Sequence, residues 1–237
     1  MYKESIGIIG GFGAYATLGF YHKILKGFAT ENERNYPHIY LDNNFTMPSR
    51  TRALLYGENY YDVVKLIAES INKMCILNVD YIILACGTAH AFLPDVYKLV
   101  PEAEGRVLNL LKLLGEELLN VKCKQSLLLA AEGTLKNKVY ESYIDKSIKI
   151  LNPGESCYQD IRFFIEAVKT QNISFDTYTK WIDFVNKFQC ENIILGCTEL
   201  PFLIEKLDVF DNEGYLKNYI YYDPLDLAVN YLKNTLS

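Results

Sequence analysis

The chain has 237 residues, 50% of them hydrophobic and 22% charged, with a formal net charge of −5. That composition is ordinary for a soluble globular protein of one large or two small domains, and its acidic balance argues against nucleic-acid or anionic-membrane partners, which require a basic face. No stretch approaches the roughly 18 apolar residues of a membrane span, and the start MYKESIGIIGG lacks the segments of a secretory signal, so a cytoplasmic protein is expected.

In chain order, a strand is read at 6–9 (IGII), and the glycine-rich turn GGFGAYAT at 10–17 opens a helix with an apolar stripe at Leu18, Tyr21, Leu25 and Phe28. A second strand at 38–41 (HIYL) leads into the loop NNFTMPSRTR at 43–52, broken by Pro48, which brings Arg50 and Arg52 to the carboxyl edge of the sheet. Val64, Ile67, Ile71 and Met74 stripe the next helix, and the strand YIIL at 81–84 delivers Cys86. After Pro101 the programme restarts with a helix bearing Val107, Leu110, Leu111, Leu114 and Leu118, then the strand SLLLAA at 126–131. Helices with Ile161, Phe164, Ile165 and Val168, and with Tyr178, Trp181, Ile182 and Val185, precede the strand NIIL at 192–195 and Cys197. The tail YIYYDPLDLAVNYL reads as a last strand and a helix with Pro224 in its first turn, packing back on the first unit. Strands alternating with helices imply parallel sheets. The expected fold is α/β: two pseudo-symmetric doubly wound parallel-sheet domains, residues 1–100 plus 211–237 and residues 101–210, with the active site in the cleft between them.

The phrase IILACGT at 82–88 returns, close to half a chain later, as IILGCTE at 193–199. An apolar run bounded by small residues reads as a buried parallel strand, whose carboxyl end opens into the crevice where such sheets bind ligands. Cys86 and Cys197 are thereby offered to one cleft. A free cysteine is commonly a packing residue, but two in matching strand-end phrases, each followed within two residues by threonine, can supply an acid and a base to opposite faces of one carbon. Helix N-termini just beyond each strand would bind a carboxylate and favour a thiolate. Cys75, Cys123, Cys157 and Cys190 lack that frame and are assigned to packing, as free thiols. Cys86 and His90, four apart, give only a weak metal hint; no CxxC pair occurs and the histidines are scattered, so no metal is expected. Gly11, Gly13 and Ala16 spell GxGxxA, with Asp42 at the end of the next strand, which leaves open a dinucleotide-dependent oxidoreductase. The same glycines equally suit a tight turn approaching an amino acid. Arg50 is a candidate bidentate anion clamp, with no preference either way for Arg52.

Together IGIIGGFGAYAT, MPSRT, ACGTAH, EGT and GCTE, in that order from Ile6 to Glu199, resemble the aspartate/glutamate racemase superfamily, most closely its aspartate racemase branch. The resemblance implies a two-domain protein with a pseudo-twofold cleft, a homodimer, that racemises a small acidic amino acid without pyridoxal phosphate or any other cofactor. It implies Cys86 and Cys197 as acid and base, Thr88 and Thr198 on the α-carboxylate, and Arg50 on the side-chain carboxylate. Lys169 falls beside that clamp, Thr134 lines the pocket, and Gly11, Gly87 and Glu199 lie at the substrate. The chain departs from the family at Gly87, where asparagine is usual, and at Ala85, Ala14 and Ala131, where proline, proline and threonine are usual. One hydrogen bond to a charged ligand is worth about 1.5–3 kcal/mol, and the pocket is expected to be roomier. Glutamate or a broader set of amino acids therefore stays open beside aspartate, as does an amino-acid-binding protein without chemistry. Hydantoin racemases and maleate isomerases share the fold and the thiol pair; the Arg50 loop and GCTE favour the amino-acid racemases.

Overall fold

The computed structural model describes residues 2–236. The first half of the chain forms β1 (Ser5–Gly10), α1 (Ala14–Gly27), β2 (His38–Asn43), α2 (Arg50–Tyr56), α3 (Tyr60–Ile76), β3 (Tyr81–Leu84), α4 (Leu93–Leu99) and α5 (Leu110–Asn120). The second half forms β4 (Gln125–Leu129), α6 (Glu132–Lys136), β5 (Lys149–Leu151), α7 (Tyr158–Lys169), α8 (Phe175–Val185), β6 (Asn192–Leu195), α9 (Glu199–Leu207), β7 (Ile220–Tyr222) and α10 (Pro224–Thr235). The strands make two all-parallel sheets, ordered β2-β1-β3 and β5-β4-β6-β7. Val107 bridges Ile82 on the open side of β3, where β7 stands beside β6 in the other sheet. Both sheets therefore carry the same order, and the α/β fold with paired parallel sheets is as the sequence implied.

The central strands are continuous apolar runs because helices cover both their faces. Ile6, Ile8, Ile83, Leu127, Leu129 and Ile194 are fully buried, whereas the edge strand β2 is buried at none of its six positions. Side-chain caps start some of the helices that flank the strands. Ser49 accepts from the N–H of Arg52 at α2, Asn109 from those of Leu111 and Lys112 at α5, and Asp223 from that of Leu225 at α10, where Pro224 supplies the preset φ of a first turn.

The two halves exchange a helix. The helix α5 follows the Val107 bridge of the first sheet, yet its Leu111, Leu114 and Leu118 pack into the core of the second with Leu127 and Trp181. The helix α10 follows β7 of the second sheet, yet Leu225, Ala228, Val229 and Leu232 pack into the first with Ile6, Ile8, Phe20 and Ile24. Lys23 of α1 closes this junction on Asp223 (3.0 Å) and Asp226 (2.7 Å).

Three details differ from the sequence reading. Val107 is a bridge residue and not part of α5. Of the tail, α10 lies on the first sheet, but strand 220–222 belongs to the second. In α1 the buried row is Ala16, Phe20 and Ile24, continued by Phe28 just past its end, while Leu18 is 60% exposed. Two adjacent rows of that helix are apolar, and the buried one is chosen by α10, whose Val229 approaches so closely at Gly27 that a Cβ there would strike it. No helix among the described residues is long and apolar enough to cross a membrane.

Candidate active site

The third strand of each sheet ends in the same way. The N–H of Ala85 donates to Ile9 O (2.9 Å) and that of Gly196 to Leu129 O (2.8 Å), and a cysteine follows each. Cys86 and Cys197 consequently leave the two carboxyl edges at equivalent points and line one small cleft of about 100 Å³, with Arg50, Gly87, Thr88, Lys169, Thr198 and Glu199. Pockets for drug-sized ligands run to about 300–1,000 Å³. The space suits a molecule of amino-acid size.

Hydrogen bonds tie the halves together beneath the cleft: the Thr198 hydroxyl donates to Ala85 O (3.3 Å), and the hydroxyls of Thr88 and Thr134 share a bond (2.7 Å). Within the second half, the Tyr140 hydroxyl donates to Gly196 O (2.9 Å). Gly133 admits α2 against α6: a Cβ there would stand 2.9 Å from the Cα of Thr51.

The Cys197 thiol donates to Glu199 Oε2 at 2.9 Å. Glu199 is 4% exposed. Its carboxylate is tolerated there because it stands at two helix N-termini, in the first turn of α9 and against Gly13, the N-cap of α1, where backbone dipoles favour negative charge. A side chain at Gly13 would collide with Glu199 Oε1. Burial, then the charge of Glu199 and the hydrogen bond to it, push the Cys197 thiol well above its usual range. Cys197 is thus held as a neutral proton donor with an acceptor beside it.

Two cations face this pair. Arg50 donates from its terminal nitrogens to Pro48 O (3.0 Å) and Phe12 O (2.7 Å) and lies over the Phe12 ring at 5.0 Å. Its Nε is buried without a partner, and its contacts supply no counter-charge. Lys169 bonds Glu166 at 2.9 Å; burial works against its charge, but the Glu166 hydrogen bond and the charges of Glu199, Glu166 and Cys197 outweigh this and raise its pKa.

His90 holds the Cys86 loop. It is fully buried, its Nε2 accepts from the Leu110 N–H (3.2 Å), and its Nδ1 therefore carries the proton that bonds Cys86 O (3.0 Å). Both nitrogens are used, which leaves no lone pair for a metal. Burial lowers its pKa to about 4, against the backbone hydrogen bonds that raise it. An unfolded histidine protonates near 6.5, so between those values the unfolded chain binds the extra proton and folding stability falls as pH drops. In urea titrations, His90→Gln should destabilise by about 2–3 kcal/mol at pH 7, through the orphaned Leu110 N–H and altered packing. The gap from wild type should shrink by about 2 kcal/mol at pH 5, where only the wild type carries the penalty.

Sequence reasoning placed Cys86, Cys197, Arg50, Gly87, Thr88, Lys169, Thr198 and Glu199 at the site, and all line the cleft. Thr134 does not; fully buried, it stands behind Thr88. Gly11 lies in the adjoining open depression, and its φ of +85° and contact with the Asn44 backbone show a glycine required by the turn. The room expected at Gly87 is filled by the Tyr140 hydroxyl. The dinucleotide alternative also loses its anchors, since Glu199 occupies the turn at Gly13 where a pyrophosphate would sit and Asp42 pairs with Lys73 (3.1 Å). Tyr140 and His90 were missed as site residues; neither belongs to a repeated phrase, and His90 signalled only through its spacing from Cys86 and as the end of ACGTAH.

Residues 9–232 match the family described as Asp/Glu/Hydantoin racemase. The broad specificity amino-acid racemase RacX of Bacillus subtilis is 22% identical over 210 residues, 85% of this chain and 88% of that protein. Among solved structures, the Picrophilus torridus aspartate racemase superposes with a TM-score of 0.80 at 23% identity, covering 98% of this chain and 94% of that one. The Francisella tularensis glutamate racemase, solved with D-glutamate, superposes with a TM-score of 0.67 at 16% identity, covering 98% and 80%. At these identities the two structures establish a shared fold.

Proposed function

The chain belongs to the Asp/Glu/hydantoin racemase family, and from that premise we propose that it interconverts L- and D-aspartate by proton transfer between two thiols. The observation that carries this reading is Cys86 and Cys197 on one amino-acid-sized cleft, beside an arginine with no counter-charge among its contacts. Arg50, aided by Lys169, takes the side-chain carboxylate. The α-carboxylate is held by the backbone N–H of Thr198, whose hydroxyl proton is committed to Ala85 O, and by Thr88, whose hydroxyl donates when Thr134 supplies the proton of their shared bond.

One thiolate removes the α-proton, negative charge spreads onto the α-carboxylate, and the opposite thiol protonates the other face. Fixed donors in a water-poor cleft stabilise that charge as it forms. Cys197, kept protonated, is the acid when Cys86 is the base; when the other enantiomer binds, Cys86 enters as the thiol that donates, Glu199 takes the proton of Cys197, and Cys197 serves as base. The reaction as proposed needs no cofactor. Glutamate or a broader range of amino acids is the alternative, in keeping with the relatives' varied substrates.

The test is chiral analysis of L-aspartate, L-glutamate and neutral L-amino acids incubated with the protein. Aspartate should convert fastest, and Arg50→Gln should raise its KM by about 10- to 100-fold, the worth of one hydrogen bond to a charged group, with neutral amino acids little affected. Equal conversion of neutral amino acids would replace aspartate with broad specificity. No conversion of any would leave an amino-acid-binding protein.

A further inference from the structure

Gly87 has right-handed helical backbone, φ −59° and ψ −44°, a conformation open to any residue, so its missing side chain is not a matter of backbone freedom. It is a matter of space. A Cβ at 87 would collide with the Tyr140 hydroxyl, stand 2.8 Å from Gly196 O and lie 3.2 Å from Tyr140 Cζ. Tyr140 is 1% exposed and gives its hydroxyl proton to that same Gly196 O at 2.9 Å. Gly87 follows Cys86, and Gly196 precedes Cys197. A single phenol therefore touches the neighbour of each thiol, on loops that come from different sheets.

We propose that Tyr140 is a positioning residue that sets the spacing of the two thiols, and that the absent side chain at 87 is what admits it; the catalytic part of this rests on the two-thiol reading above. Inversion requires both sulfurs to address one carbon from opposite faces, and the hydroxyl wedged between the loops holds them at a fixed separation. Burial, then the charges of Cys197 and Cys86, hold its pKa well above the usual value, so it remains a donor throughout the reaction. It touches no reacting atom.

Tyr140→Phe keeps the ring and removes only the hydroxyl. The kcat for inversion should fall by about 10- to 100-fold with KM nearly unchanged, the size of effect a small misplacement of reacting groups produces. In deuterated water the ratio of α-proton exchange with retention to exchange with inversion should rise, because an intermediate between misplaced thiols is reprotonated by the one that formed it. An unchanged kcat and exchange ratio would overturn the positioning role. Thermal denaturation reads the contact without any assay of activity. Gly87→Ala should lower the melting midpoint, and should lower it by less in the Tyr140→Phe background, where the colliding oxygen is gone and the contact with Gly196 O remains. Additive shifts would overturn the wedge itself. Coupled shifts in a chain that racemises no amino acid would overturn the positioning role together with the function it rests on, and leave the wedge as packing.

Discussion

Cys86→Ala and Cys197→Ala should each lower racemisation of aspartate by about 10³-fold or more, toward the upper end of what one positioned acid or base contributes. Each thiol is the sole acid or base proposed for its face of the α-carbon, so neither can replace the other. The two variants should differ in what they retain. With Cys86 gone, Cys197 can still remove the α-proton of the enantiomer it faces and return a solvent-derived proton to the same side. Cys197→Ala should do the same for the opposite enantiomer. Each single variant thus exchanges the α-proton of one enantiomer only, and the pair are complementary, which proton NMR in deuterated water reads directly. Cys86 is 8% exposed within the first core, so circular dichroism and melting curves should confirm that the loss is not unfolding. Racemisation retained at more than a tenth of the wild-type rate by either variant would remove that cysteine from the mechanism.

Glu199→Gln should lower kcat/KM by about 10²- to 10³-fold, within the range of a lost proton acceptor. Enantiomers have equal free energy in water, so this loss must be the same in both directions. The asymmetry should appear in the primary deuterium isotope effect, which should grow for the one enantiomer whose proton Cys197 removes. The pH profile should move as well. Apart from burial, Glu199 is the main cause of the raised Cys197 pKa, through its charge and its hydrogen bond. A thiolate beside a carboxylate is disfavoured, so a neutral amide should lower the thiol's pKa and carry the rising limb of the profile to lower pH even as the maximum rate falls. A limb that stays in place, with symmetric isotope effects, would assign Glu199 to packing.

The features legible in the sequence are those that local rules determine. Continuous apolar runs ending in small residues announced the buried strands and the point at which Cys86 and Cys197 leave them, and their repetition revealed that the two ends are equivalent. Arg50 was legible through its residue type, its place after the second strand and the MPSRT motif, although the reading of 43–52 as a loop missed that Arg50 opens α2 behind the Ser49 cap. Long-range geometry was legible only in part. The sequence reading placed the last helix on the first unit and 110–118 with the second, where α10 and α5 pack, but not strand 220–222 beside β6, and adjacent rows of α1 offered two choices. Gly11 and Gly13 look alike in the motif, but one is required by a positive φ and the other by the carboxylate of Glu199. Tyr140 lies 53 positions from Gly87 in an irregular segment with no periodicity to mark it, so only the packed structure shows that the missing side chain and the buried hydroxyl share one space.

The most direct test of the two-thiol mechanism is the isotopic content of the first product formed. L-aspartate protonated at Cα is incubated with the wild-type protein in deuterated water, and the D-aspartate made in the first few per cent of reaction is isolated by chiral chromatography and weighed by mass spectrometry. With separate thiols on the two faces, the product should be deuterated at Cα while unreacted L-aspartate keeps its protium. D-aspartate that retains the original proton, or L-aspartate that loses protium as fast as product appears, would show one group serving both faces and would contradict the pairing of Cys86 with Cys197.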